Sequence, residues 1–146
     1  GARLVIDSRS IEYSELEELS PWLIKPNLEE LSSYFDREIS TRDEAISCAE
    51  SMYALGIENV MVSLGKDGAV LVCKEGIFTE CAPNIDVIST IGAGDSAIAG
   101  FVTASKLGLT KREALRYAVA FGSAACMEKG TNPPTRVNIN RLIAEI

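Results

Sequence analysis

The sequence predicts an α/β fold: a mostly parallel sheet with an antiparallel hairpin at one side. Three observations predict it. Short apolar runs alternate with segments that open on helix-capping patterns through the first 64 residues, the order that builds a parallel sheet with crossover helices. Ala69–Cys73 and Ile77–Cys81 flank Lys74-Glu75-Gly76 closely enough to read as a hairpin. The final third then carries only helix signals.

Taken in order, Arg3–Asp7 is a short apolar run closing on a polar residue, a buried strand. Ser14-Glu-Leu-Glu17 has capping-box spacing, in which a hydroxyl and a carboxylate three residues apart satisfy each other's free amides, so a brief helix follows. Trp22–Lys25 is a second strand, stopped by Pro26, which has no N–H for a ladder. Asn27-Leu-Glu-Glu30 opens a helix to about Phe35. Thr41-Arg-Asp-Glu44 opens another to Leu55, with Gly56 placed to end it. Asn59–Leu64 is a third strand, Gly65-Lys-Asp-Gly68 a turn, and Ile85–Ser89 a strand or extended segment. Gly94 or Asp95 starts a helix to Lys106, ended by Gly108. Thr110-Lys-Arg-Glu113 starts one to about Lys129, and Asn138 caps the last. No repeat or linker interrupts this order, so one domain is expected.

Composition narrows the chemistry. The chain has 146 residues, 47% hydrophobic and 24% charged, which excludes disorder and collagen-like structure. No apolar run approaches the ~18 residues that span a bilayer, and no secretory leader pattern is present. A net charge of −7 opposes nucleic-acid binding, which needs basic surface. There is no histidine, so Ser-His-Asp and Cys-His catalysis and His-ligated metal are excluded. Cys48, Cys73, Cys81 and Cys126 form no CxxC pair and sit among apolar neighbours. They read as small core residues in a reducing, cytoplasmic setting. Residues 1–60 hold 13 acids against 5 bases, whereas the remainder is near neutral and better suited to a phosphate ligand.

In open α/β sheets, ligands bind beyond the carboxyl ends of the strands. That rule nominates Asp7, Asn27 and Ser63 through Gly68. The sharpest feature is Ser89-Thr-Ile-Gly92-Ala93-Gly94-Asp95-Ser96. Glycines ahead of a helix leave its first amides unpaired, and with the helix dipole these suit a phosphate. Asp95 would stand beside that anion as a base. Two readings stay open here, an anion site or a plain glycine turn with Asp95 as cap. Asn27 with Glu30 likewise serves as a capping box, a ligand pair, or both. Gly65 and Gly68 serve a turn or a close approach to a ligand, and Val119 the core or a pocket.

Gly92-Ala-Gly-Asp95-Ser followed by Ala99-Gly-Phe101 resembles the second signature of the ribokinase-like, or PfkB, family of carbohydrate kinases. Lys25-Pro-Asn27-Leu-Glu-Glu30 resembles its Asn-x-x-Glu element, and Ser63-Leu-Gly65-Lys-Asp-Gly68 its nucleotide loop. Ala118–Ala125 is similar to the helix beside its adenine pocket. Within the family, the Lys-Pro-Asn and Gly-Asp-Ser forms are most similar to 1-phosphofructokinase and tagatose-6-phosphate kinase.

The resemblance implies a three-layer ribokinase-like fold and ATP-dependent, Mg²⁺-requiring phosphorylation of a ketohexose phosphate. Asp95 is implied as the base, with the amides of Gly92, Ala93 and Gly94 holding the γ-phosphate. Glu30 is implied as the metal-orienting residue and Asn27 as its neighbour. Lys25 is implied as a mobile charge near the ATP phosphates, Ser63, Gly65 and Gly68 as the nucleotide loop, and Val119 and Ser123 as the adenine pocket. Asp7 is a weaker candidate for the metal's outer shell. Some members carry an Asp where this chain has Ser89, so a potassium requirement is not implied. The resemblance covers the family's C-terminal, nucleotide-binding half. With Gly1 set directly before a strand, a chain cut from a longer one is expected, lacking the half with the sugar lid. Two other readings stay open: another ribokinase-like kinase acting on a sugar, nucleoside or vitamin, and a nucleotide-binding piece without catalysis of its own. Whether the intact enzyme pairs as a homodimer also stays open.

Overall fold

A computed structural model describes residues 1–7 and 9–146. The chain divides into two compact units. One comprises residues 1–64 with 70–78, and the other residues 65–69 with 79–146.

The first unit is built around a sheet whose strands lie in the order β1-β2-β3-β4-β5. These are β1 (Val5–Ile6), β2 (Leu23–Ile24), β3 (Asn59–Ser63), β4 (Ala69–Cys73) and β5 (Gly76–Glu80). β1 and β2 pair in parallel, Val5 with Leu23 and Ile6 with Ile24. β2 and β3 do the same, Leu23 with Asn59 and Ile24 with Val60. β4 and β5 are sheet neighbours joined by Lys74-Glu75, which makes them the antiparallel hairpin. Every residue of β4 is buried, and β5 alternates partly buried with exposed, as suits a central and an edge strand. The Asn59 amide donates to the Trp22 carbonyl at 2.7 Å, so the one polar side chain at the buried start of β3 is satisfied.

Three helices pack on this sheet: α1 (Tyr13–Leu19), α2 (Leu28–Phe35) and α3 (Arg42–Ala54). Leu16, Leu31 and Met52, one from each helix, meet Ile57 and Val62 in a core with no exposed surface on any of the five. α2 and α3 start where predicted, on Asn27 and Thr41, each with a complete capping box. α1 does not. It starts at Glu12, whose N–H donates to the Glu15 carboxylate at 2.7 Å, so Ser14 lies inside the helix rather than capping it.

The second unit is helical: α4 (Ala93–Lys106), α5 (Lys111–Cys126) and α6 (Arg136–Glu145). Phe101, Ala104, Leu115, Ala120, Ala124 and Leu142 are among its buried residues, and the small ones let α4 and α5 approach closely. Thr110 caps α5 as predicted, and Gly108 takes the left-handed conformation after α4. Three helix ends move. α4 begins at Ala93 with Gly92 as its cap, α5 stops at Cys126, and Thr135, not Asn138, caps α6. Residues 85–89 form no strand, which leaves the extended-segment alternative, and two of their amides are used elsewhere: Ile88 and Ser89 both donate to the Cys126 carbonyl, at 2.8 and 3.2 Å. Cys81 is exposed rather than core, while Cys48 and Cys73 are buried and Cys126 is half-buried. No helix among the described residues is long and apolar enough to cross a membrane.

Candidate active site

In the first unit, parallel pairing brings the carboxyl ends of β1, β2 and β3 side by side. The alignment continues past the strands, since Ser63 N–H donates to the Pro26 carbonyl at 3.0 Å and Asn27 forms a parallel bridge with Ser63. Asp7, Lys25, Asn27 and Ser63 therefore share one sheet edge, as the strand-end rule requires. Lys25 is paired within this edge. Its side chain is 6% exposed, and its ammonium lies 3.5 Å from the Asp7 carboxylate. An ammonium this deep needs an anion, and Asp7 supplies it.

Asn27 and Glu30 satisfy each other across the first turn of α2. The Asn27 side chain accepts from Glu30 N–H at 2.8 Å, and Glu30 Oε2 accepts from Asn27 N–H at 2.9 Å. Glu30 Oε1 takes a further bond from Arg9 Nε at 3.3 Å. Both carboxylate oxygens are thus occupied by cationic or amide donors. Arg9 has no local pattern that flags it; it reaches Glu30 only because β1 lies beside β2. Arg9, Glu12, Tyr13, Glu29, Glu30 and Tyr34 line a cavity of about 220 Å³. Burial, then the negative charges of Glu30 and Glu12, push the Tyr34 phenol above its ordinary value.

In the second unit, Gly92 is held at φ +79°, a left-handed conformation that only glycine adopts without strain. It turns the chain into α4 with no side-chain hydrogen bond at the cap. The Ala93 N–H donates to the Thr90 carbonyl at 3.3 Å, so this amide is engaged within the turn. The N–H groups of Gly92, Gly94 and Asp95 have no acceptor among the described residues. Asp95 stands at the third position of α4, and its side chain is exposed. Thr90 and Ile91 complete the loop, with Ile91 N–H donating to Ser89 Oγ at 3.2 Å.

Gly65 and Gly68 bracket a tight 3-10 turn, Gly65–Asp67, closed by Gly68 N–H on the Gly65 carbonyl at 3.1 Å. The two glycines differ in kind. A Cβ at Gly65 would meet nothing within 4 Å. A Cβ at Gly68 would collide with the backbone of Glu80, Cys81 and Ala82, so packing alone demands glycine there. Val119 and Ser123 lie one turn apart on α5. Val119 is 7% exposed and serves the core of that helix whatever else it touches, and Ser123 is half-buried.

The family of pfkB carbohydrate kinases matches residues 2–138. The chain belongs to the PfkB family. The 1-phosphofructokinase of Borreliella burgdorferi is 35% identical over 127 residues, 86% of this chain and 41% of that enzyme. The D-tagatose-1-phosphate kinase of Bacillus licheniformis is 34% identical over 137 residues, 93% of this chain and 45% of that enzyme. A crystal structure of phosphofructokinase-2 from Escherichia coli, in complex with substrates and products, superposes with a TM-score of 0.86. It is 30% identical, over 98% of this chain and 47% of that one. Ribokinase from Thermotoga maritima, 22% identical, shares the fold with a TM-score of 0.78. The PfkB chain described here thus spans less than half the length of the relatives it matches. Its fold is ribokinase-like, as the motifs imply.

PfkB membership brings magnesium into question, and the donor set answers it. Among the described residues, no three His, Cys, Asp or Glu side chains gather as an all-protein metal site. Mg²⁺ does not need one. It keeps most of its waters and takes one or two carboxylates plus phosphate oxygens. A single carboxylate held in place by an amide and a guanidinium, as Glu30 is, fits that pattern.

Proposed function

We propose that this chain is the nucleotide-binding part of an ATP-dependent kinase acting on a ketohexose phosphate, with Asp95 as its base. The observation that carries the reading is the leading turn of α4. Open amides at Gly92, Gly94 and Asp95 point out of a glycine turn, and the one carboxylate of that turn is exposed beside them. The helix dipole adds partial positive charge at the same end, so a transferring phosphoryl group would be met by donors already in place.

The steps follow from these groups. The sugar hydroxyl gives its proton to an Asp95 carboxylate oxygen while its own oxygen bonds to the γ-phosphorus. The bond from that phosphorus to the β,γ-bridging oxygen breaks, and ADP leaves with the electron pair. Charge on the equatorial phosphoryl oxygens is carried by the open amides. Mg²⁺, bound to the nucleotide and oriented through water by Glu30, would neutralise phosphate charge. Asn27, bonded to Glu30 across the same turn, keeps that carboxylate in one orientation. The names of the relatives, a 1-phosphofructokinase and a D-tagatose-1-phosphate kinase, support a ketohexose phosphate as acceptor.

In the whole enzyme that carries this chain, Asp95→Asn should lower kcat by about 10²–10⁴ and leave the KM for ATP within a few fold. Steady-state assays of ADP release decide it. An Asp95→Asn enzyme with unchanged kcat removes the base, and with it the proposal.

A further inference from the structure

We infer that Gly122 is a positioning residue for the phosphate loop, acting through the backbone of α4; the inference rests on the reading of that loop just given. α5 holds the loop at two places. One is the Cys126 carbonyl, which accepts from both Ile88 and Ser89 just before the loop, at 2.8 and 3.2 Å. The other lies one turn earlier on the same helix, at Gly122. A Cβ placed there would stand 3.2 Å from the Ala93 carbonyl oxygen and 3.4 Å from Ala97 Cβ. Ala93 is the first residue of α4, and its neighbours Gly92, Gly94 and Asp95 present the open amides. The first turn of α4 therefore rests on the bare backbone of Gly122, where only the Ala93 carbonyl and the Ala97 methyl lie close to the missing Cβ.

A second contact, farther along α4, shows why the first turn cannot tilt freely. A Cβ at Gly100 would stand 2.5 Å from the Tyr117 carbonyl, so α4 and α5 also touch backbone to backbone there. With α4 pinned at Gly100, bulk added at Gly122 lifts the leading end and swings the amides off their aim. A carbon at 3.2 Å from oxygen needs only a few tenths of an ångström of give, so alanine would perturb the loop mildly. A valine adds two further methyl groups and is stiff about χ1, so it would perturb the loop more. Gly122 thus sets where a phosphoryl group is held without touching it.

The test compares adenosine with a non-hydrolysable ATP analogue, each titrated with Mg²⁺ into the 146-residue chain. Calorimetry gives the affinities, and the Gly94 and Asp95 amide resonances report where the phosphates sit. Wild type should bind the analogue more tightly than adenosine. Gly122→Val should lose about tenfold or more of that advantage, the worth of one or two hydrogen bonds to a charged group. Its adenosine affinity should stay within twofold, and Gly122→Ala should fall between. If Gly122→Val does not fold, the alanine variant carries the comparison. Three results overturn the inference: a valine variant that keeps the full advantage, equal losses for both ligands, which mark a purely structural role, and a wild type with no advantage to lose. The last result alone also removes the phosphate-site reading.

Discussion

Lys25 and Asp7 show how exposure decides what one ion pair contributes. The ammonium is almost wholly out of water, whereas the Asp7 side chain keeps 27% of its surface exposed. Removing either partner leaves the other unpaired, yet the two outcomes are unequal. A lone Asp7 carboxylate turns to solvent. A lone Lys25 ammonium stays buried with its charge uncompensated. Asp7→Ala should therefore cost about 1–3 kcal/mol, below the range for a fully buried pair because Asp7 reaches water. Lys25→Met, which keeps the apolar stem, should cost less. Urea denaturation of the two variants ranks them, and a larger loss for Lys25→Met would show that the pairing is not what keeps that lysine inside. Glu30 is the corresponding case in the candidate site, since its orientation depends on the Asn27 amide and the Arg9 guanidinium together.

Helix starts are where this sequence speaks most plainly, because a capping box is local chemistry. Asn27, Thr41 and Thr110 each accept from the amide three residues on, and Glu30, Glu44 and Glu113 return the bond. All three were legible from four residues apiece. Two features were not legible: Glu12 caps α1 in a box with Glu15 where Ser14 has the better intrinsic chemistry, and residues 85–89 look strand-like although Ile88 and Ser89 lend their amides to the end of α5. The candidate loop divides the same way. Its glycines and Asp95 stand out in sequence, whereas Arg9 and Gly122 matter through residues 21 and 29 positions away, Glu30 and Ala93. The boxes also carry a pH signature. Hydrogen bonds from Thr110 hold the Glu113 carboxyl below its ordinary value of 4.5, and bonds from Ser40 and Thr41 do the same for Glu44. A depressed folded value means stability that is present above pH 4.5 and lost as pH falls through the folded value. Replacing both with glutamine, which can still accept from the cap amide but does not titrate, should flatten that loss. Urea midpoints measured from pH 7 down to about 3 would show it, and parallel profiles for wild type and Glu44→Gln/Glu113→Gln would refute the assignment.

At the scale of the molecule, the division into two units raises the question of whether they unfold separately. Each holds about half of the 146 residues, a size at which one hydrophobic core is marginal on its own. The boundary also cuts through elements rather than between them. Ala69 falls on one side and Val70 on the other within β4, and Phe78 and Thr79 split β5 in the same manner. The chain passes from one unit to the other inside the hairpin strands, at Ala69–Val70 and again at Phe78–Thr79. One cooperative transition is the expected outcome. The sequence supplies its own reporter, because the single tryptophan, Trp22, is buried in the first unit while Phe101 is wholly buried in the second. Phe101→Ala removes a large core side chain and should cost about 3–5 kcal/mol. If the units are coupled, that loss moves the Trp22 fluorescence midpoint in urea together with the helical circular dichroism signal. If the helical signal drops early while Trp22 holds its wild-type midpoint, the units are thermodynamically separate, and a nucleotide bound at the α4 turn would stabilise the second unit alone.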